Sequence, residues 1–151
     1  RSLLRKSKTV GRFIMKQNIH ATCIRLNKKG ILILGQSGSG KSDLALRLIM
    51  RFGAELVADD RVDISLEKGA VVAAAPEILK GLLEVRCIGI LKFPPIKKTK
   101  IDLVINLKTE KIERLPEQKF YCLFEKNVPM FDLNPFEVSA AEKVVAMLSL
   151  L

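Results

Sequence analysis

Eight consecutive residues, Gly35 to Ser42 (Gly-Gln-Ser-Gly-Ser-Gly-Lys-Ser), fit the spacing Gly-x-x-x-x-Gly-Lys-Ser/Thr. That spacing has a physical use. Glycines let the backbone turn tightly enough for several N–H groups to face one phosphate, and a helix beginning at the last glycine adds the partial positive charge of its N-terminus. Gly35, Gln36, Ser37, Gly38, Ser39 and Gly40 would form the cradle, Lys41 would reach the outer phosphates, and Ser42 would ligate magnesium. The bland alternative is a glycine-rich turn. The flanks argue against it: Ile31–Leu34 is an apolar run of strand length, and Leu44, Ala45, Leu48 and Ile49 recur at helical spacing. Further on stand two adjacent acids, Asp59 and Asp60. Alone they read as a polar turn. One helix and one strand after a phosphate loop, they read as chemistry, one carboxylate on Mg²⁺ or its water and the other taking a proton from an attacking hydroxyl. The chemistry implied is phosphoryl transfer from ATP.

The elements that must hold these residues are short. Ile19–Leu26 reads as a strand, Asn27–Gly30 as a hairpin turn, Ile31–Leu34 as a buried strand and Lys41–Phe52 as a helix closed by Gly53. Glu55–Ala58 is a strand ending in the two aspartates, and Arg61–Glu67 reads as its continuation. Val71–Ala75 is a further strand. Pro76 opens a short helix through Leu79, and strand character returns at Val85–Leu91. Ile101–Leu107 and Phe120–Phe124 are strands, Thr109–Lys119 and Pro129–Pro135 are loops, and Ser139-Ala140-Ala141-Glu142 is a capping-box pattern opening a last helix. The class is α/β with a mixed sheet.

The 151 residues suit one domain, and 48% apolar composition with no tryptophan predicts an aliphatic core. The net charge of +10 invites a nucleic-acid reading, but six of those charges lie in residues 1–16, which hold no acid. No arginine-rich helix with interleaved aromatics follows, so no nucleic-acid partner is expected. Met15 reads as the natural start, with 1–14 a basic extension left out of the fold and 15–151 a single kinase domain. Lys97, Lys98 and Lys100 form a basic run that is either a solvated face or a dock for an acidic partner. Cys23, Cys87 and Cys122 are scattered and odd in number, which argues against zinc and disulfides and for free thiols in a cytoplasm. No window is apolar enough to span a membrane.

Several phosphate-loop classes are disfavoured. There is no Asn-Lys-x-Asp guanine signature. The arginines beyond the N-terminal segment (Arg25, Arg47, Arg51, Arg61, Arg86 and Arg114) do not cluster as a nucleotide-kinase lid requires. An ordinary acid strand, four apolar residues then Asp, is missing, because Asp102 comes too early in Ile101–Leu107.

His20-Ala21-Thr22, Gly35–Leu46, Leu56–Asp60 and Ala74–Ile90 occur in the order found in HPr kinase/phosphorylase, the bacterial enzyme that phosphorylates a serine of the phosphocarrier protein HPr of the phosphotransferase system. The chain resembles the catalytic domain of that family over about residues 18–115. The resemblance implies a short form lacking the extra N-terminal domain, a fold related to PEP carboxykinase, a homohexamer and a bacterial cytoplasmic location. It also implies roles: Asp59 as base for phosphorylation and acid for the reverse, Ser42 and Glu84 as magnesium ligands, Lys41 on phosphate, and His20 and Arg114 as further active-site residues. Two departures stand out. Cys87 replaces a glycine of the longer members. Leu133-Asn134-Pro135-Phe136-Glu137 stands where they carry a glycine- and arginine-rich loop tied to dephosphorylation, so the kinase direction is the firmer expectation. The competing readings are a small-molecule kinase or NTPase with the same nucleotide site, and a nucleotide-binding regulatory module without chemistry.

Overall fold

The computed structural model describes residues 3–9 and 12–151. Alternation along two central strands decides where the core lies. β4 (Lys29–Leu34) and β10 (Thr99–Leu107) pair in parallel, with Leu103 beside Ile31, Val104 beside Leu32 and Ile105 beside Ile33. Successive strand residues face opposite sides. Ile31, Ile33, Leu103 and Ile105 therefore pack with Leu44, Leu48 and Val144 of the two helices, α1 (Lys41–Phe52) and α2 (Ala140–Leu148). Leu32 and Val104 face the other way, into a second core with Val57, Val62 and Ile64. Both faces of the centre are buried, which is why Ile31–Leu34 and Leu103–Ile105 are apolar without a break.

The sheet forks at β10. Thr99 and Lys100 pair antiparallel with β7 (Ala70–Ala74), whereas Val104–Leu107 pair parallel with β12 (Lys126–Leu133). One branch continues through β6 (Arg61–Glu67) to β2 (Arg12–His20) and β1 (Leu3–Thr9). The other is extended by β11 (Lys119–Leu123). Beyond β4 lie β3 (Thr22–Leu26) and β5 (Glu55–Ala58). β3 is antiparallel to both β4 and β5, so β4, β5, β10 and β12 share one direction and end on one edge. Among the described residues, ten strands make this sheet. A separate hairpin of β8 (Leu82–Val85) and β9 (Gly89–Lys92) stands over that edge.

Several sequence expectations change here. The single strand expected at Ile19–Leu26 is two: β2 pairs with β6 and β3 with β4, so the chain changes branches at Ala21. Arg61–Glu67 is not a continuation of β5, because Asp60 at φ 68° turns the chain into β6 in the other branch. Val85–Leu91 is interrupted by a turn with Cys87 at φ 70°. Pro129–Pro135 is not a loop: Pro129 lies inside β12. It lies opposite Phe120 of β11 but one residue before the ladder to β10 begins at Met130, so only one flank of the strand is paired there. The capping box does not form, since Ser139 makes no side-chain cap bond. Glu142 reaches across to Arg51 of α1 instead, at 3.0 Å. The basic segment left out of the fold from sequence carries β1 and the start of β2, which pair antiparallel.

Asp102, too early for an acid strand, has a structural use. The β4–β10 register shifts between Ile101 and Leu103, and the Asp102 carboxylate accepts the Gly30 N–H at 3.1 Å. On the far branch, Asp132 draws β10, β11 and β12 together through Asn106 at 3.0 Å and Lys119 at 2.5 Å. Burial pushes the Asp132 carboxyl upward, but the hydrogen bonds from Lys119 and Asn106 and the charges of Lys119 and Lys108 outweigh it and hold it below the usual range.

Candidate functional site

The loop between β4 and α1 has the shape its glycines require. Gly38 and Gly40 adopt φ of 78° and 98°, in the region L side chains avoid, and the Ser39 N–H closes a turn on the Gln36 carbonyl at 3.0 Å. Gly35 has no room for a side chain, since a Cβ would lie 2.3 Å from Ser39 Oγ. α1 starts directly at Lys41, aiming its N-terminus into the loop. The Lys41 ammonium is buried and donates to the Gly35 and Gln36 carbonyls, both at 2.9 Å. Burial lowers its pKa, and the nearby charges of Asp59 and Asp60 work against that shift.

β5 delivers the two aspartates to the same edge. Leu56-Val57-Ala58 is buried and Asp59 follows at once, so this strand supplies the acid that Ile101–Leu107 lacks. The pair then splits. The Arg61 N–H bonds to the Asp59 carbonyl at 2.8 Å across Asp60, a three-residue turn with the central residue at φ 68°. Such backbone costs on the order of 1–3 kcal/mol in a non-glycine residue. It sends the carboxylates to different partners. Buried Asp59 accepts the Ser42 hydroxyl at 2.7 Å and the Thr22 hydroxyl at 2.8 Å, both on Oδ1. Asp60, more exposed, lies 3.0 Å from His20 Nε2.

These groups line a cleft of about 580 Å³ whose far wall is the β8–β9 hairpin. Leu83 roots that hairpin in the core, and Glu84 and Arg86 line the cleft without forming an ion pair with each other. A Cβ on Gly38 would lie 3.8 Å from an Arg86 guanidinium nitrogen, so Arg86 stands over the phosphate loop. The structure thus gathers His20, Gly35–Ser42, Asp59 and Glu84. Arg114 is elsewhere: it sits exposed on the loop between β10 and β11 and does not line the cleft. Thr22 and Arg86 are the lining side chains to which the sequence assigns no role, whereas Asp60 was expected there as one of the paired acids. Thr22 was visible only as part of His20-Ala21-Thr22, since its contact to Asp59 spans 37 positions.

The oxygen donors fit a magnesium ion carried on a nucleotide. Ser42, Asp59 and Glu84 share one cleft. Among the described residues no three His, Cys, Asp or Glu side chains gather as a self-sufficient metal cage. Mg²⁺ suits such a sparse set, because it keeps several waters and takes its remaining ligands from phosphates.

Comparison with known proteins agrees with this geometry. Residues 11–145 match the family model for the HPr Serine kinase C-terminal domain. The chain is 36% identical over 143 residues to the HPr kinase/phosphorylase of Lactiplantibacillus plantarum, covering 88% of this chain and 44% of that protein. It is 43% identical over 100 residues to the HPr kinase/phosphorylase of Caldicellulosiruptor bescii, covering 61% and 32%. The chain therefore spans less than half the length of these curated relatives. The fold superposes on the HPr(Ser) kinase/phosphatase from Coxiella burnetii with a TM-score of 0.73 at 26% identity, covering 88% of this chain and 92% of that one.

Proposed function

The chain belongs to the HPr serine kinase C-terminal domain family, and from that premise we propose that it transfers the terminal phosphoryl group of ATP, with Mg²⁺, to a serine of an HPr-type phosphocarrier protein. One observation carries the reading: the phosphate-loop hydroxyl of Ser42 and the buried carboxylate of Asp59 touch at 2.7 Å at the floor of an open cleft.

The roles proposed here are compatible with the geometry. The loop N–H groups and Lys41 hold the phosphates. Ser42 and Glu84, with Asp59 adjacent, would hold Mg²⁺, which when bound neutralises charge on the phosphoryl group in transit. Asp59 has Oδ1 taken by two hydroxyls, leaving Oδ2 for the acceptor serine. Accepting that proton as the serine oxygen approaches phosphorus is general-base catalysis. In the reverse direction the protonated carboxyl would return the proton: inorganic phosphate attacks the phosphorus of phosphoserine, the bond to the serine oxygen breaks, that oxygen takes the proton, and pyrophosphate is the product. His20, beside Asp60, and Arg86, over Gly38, supply donors for the phosphoryl oxygens. Arg114 keeps its family role only if the loop 108–118 carries it inward or it serves a neighbouring copy. On the family resemblance alone we further propose a bacterial cytoplasmic location and assembly as one subunit of a hexamer. Exposed Ile78, Ile88 and Ile90 offer apolar surface for such packing. No helix among the described residues is long and apolar enough to cross a membrane.

The test is a mass-spectrometric transfer assay with ATP, Mg²⁺ and an HPr-type phosphocarrier. Phosphoserine on the carrier is the expected result. Turnover only on small hydroxyl acceptors would replace the reading with a small-molecule kinase. ATP binding without transfer to any acceptor would replace it with a regulatory module.

Thr22 provides a finer expectation. Thr22→Val keeps the β-branched shape but removes a buried hydrogen bond to a carboxylate, a contact worth roughly 1.5–3 kcal/mol. We expect kcat to fall about tenfold or more with the KM for ATP unchanged, and Thr22→Ser to restore it. Steady-state kinetics on the three proteins decide this, and equal kcat in all three would sink it.

A further inference from the structure

The phosphate loop separates two clefts. The first, described above, holds Asp59, Ser42 and Glu84. The second, of about 590 Å³, lies on the other flank of the loop, against Gln36–Ser39, and is bounded by Lys108–Glu110 after β10 and by Pro135-Phe136 after β12. Its volume falls within the roughly 300–1,000 Å³ of small-molecule sites. Phe136 lines both clefts.

Phe136 is presented rather than left over. Its backbone N–H bonds to the Asn134 side chain at 3.0 Å, the Glu137 N–H bonds to the Asn134 carbonyl at 3.3 Å, and an Arg47 guanidinium nitrogen from α1 donates to the Pro135 carbonyl at 2.6 Å. These bonds fix the turn over the start of α1. A Cβ on Gly40 would lie 3.5 Å from the Pro135 ring and 4.0 Å from the Phe136 ring. Yet Phe136 remains 69% exposed. A ring carried on a hydrogen-bonded turn, open to solvent and set beside a phosphate cradle has the attributes of a stacking platform, because aromatic faces stack on bases at little entropic cost.

Direction settles which end of the ligand it meets. The transferring phosphoryl group must point to Asp59 in the first cleft. The remainder of the nucleotide then leaves the loop by its other flank, where the second cleft opens.

We propose that Phe136, with the second cleft beside it, is the purine subsite of the nucleotide donor: the base stacks on the Phe136 ring and the ribose rests against Lys108–Glu110. The inference rests on the nucleotide reading above and adds to it where the base is held.

Calorimetric titration of the whole chain with Mg·ATP and with Mg·tripolyphosphate, which lacks a base, separates the two ideas. The wild type is expected to bind ATP more tightly than tripolyphosphate. Phe136→Ala is expected to weaken ATP about tenfold while leaving tripolyphosphate within twofold, and Phe136→Trp to retain ATP. Unchanged ATP affinity in Phe136→Ala would overturn the proposal and assign the ring to subunit packing, and equal losses for both ligands would overturn it in favour of a role in shaping the loop. Tripolyphosphate binding with no preference for ATP in the wild type would remove the subsite and leave the phosphate loop standing. Binding of neither ligand would remove the nucleotide reading together with it.

Discussion

Asp59→Asn is expected to lower phosphoryl transfer by about a thousandfold while leaving ATP binding and thermal stability close to the wild type. General-base catalysis contributes on the order of 10²–10⁴ in rate. Asparagine removes the base with little else, because its carbonyl can still accept the hydroxyls of Thr22 and Ser42, the two bonds that now meet on Oδ1. Asp59→Ala is a different experiment. It strips the partner from Thr22, whose hydroxyl is buried, and an unmet buried donor costs roughly 1–3 kcal/mol. Inactive but stable Asn protein, beside inactive and less stable Ala protein, would separate chemistry from architecture. Transfer by Asp59→Asn within tenfold of the wild type would take the base role away from this residue.

The largest stability effect is expected far from the cleft, at Gly30. A Cβ there would sit 2.0 Å from the Lys100 carbonyl oxygen and 2.9 Å from a Thr99 methyl. The obstacle is backbone of β10, so no rotamer change relieves it. Overpacking typically costs 1–3 kcal/mol, and a main-chain clash belongs at or beyond the upper end. Gly30→Ala is therefore expected to lose about 3 kcal/mol and lower Tm by about 10 °C in a calorimetric scan. Moving β4 away from β10 would also break the Gly30 N–H to Asp102 bond and displace the strand that feeds the phosphate loop, so nucleotide affinity should fall with stability. A Tm within 2 °C of the wild type would show that the two strands slide past each other at low cost.

What the sequence discloses is what local chemistry writes. The phosphate loop, α1 and its Gly53 cap are legible because each depends on neighbours a few positions apart. Gly53 sits at φ 72°, with its own N–H and that of Ala54 bonded to Ile49 and Leu48 carbonyls, as glycine after an amphipathic run predicts. Asp59 is legible because an apolar strand precedes it and a phosphate loop stands earlier in the chain. Thr22 and Arg86 are not, since one bonds Asp59 and the other stands over Gly38, and no spacing encodes either approach. Strand ends fare worst. Pro129 reads as a breaker, yet the pairing partner decides whether its missing N–H matters. Ile19–Leu26 reads as one strand because the passage of the chain from one branch of the sheet to the other at Ala21 leaves no mark on its hydropathy.

β10 belongs to both branches of the sheet, and it is the strand that lies against β4 on the side away from β3. The phosphate loop, which directly follows β4, is encoded in the first third of the chain but rests on a strand that ends at residue 107. A growing polypeptide therefore carries the whole nucleotide signature long before it can hold it in shape. Pairing across so many residues must await synthesis of the later strand. Until β10 has left the ribosome, the apolar residues of β4 have no cover on that side, and the interval between the two is when the nascent chain is most exposed to aggregation.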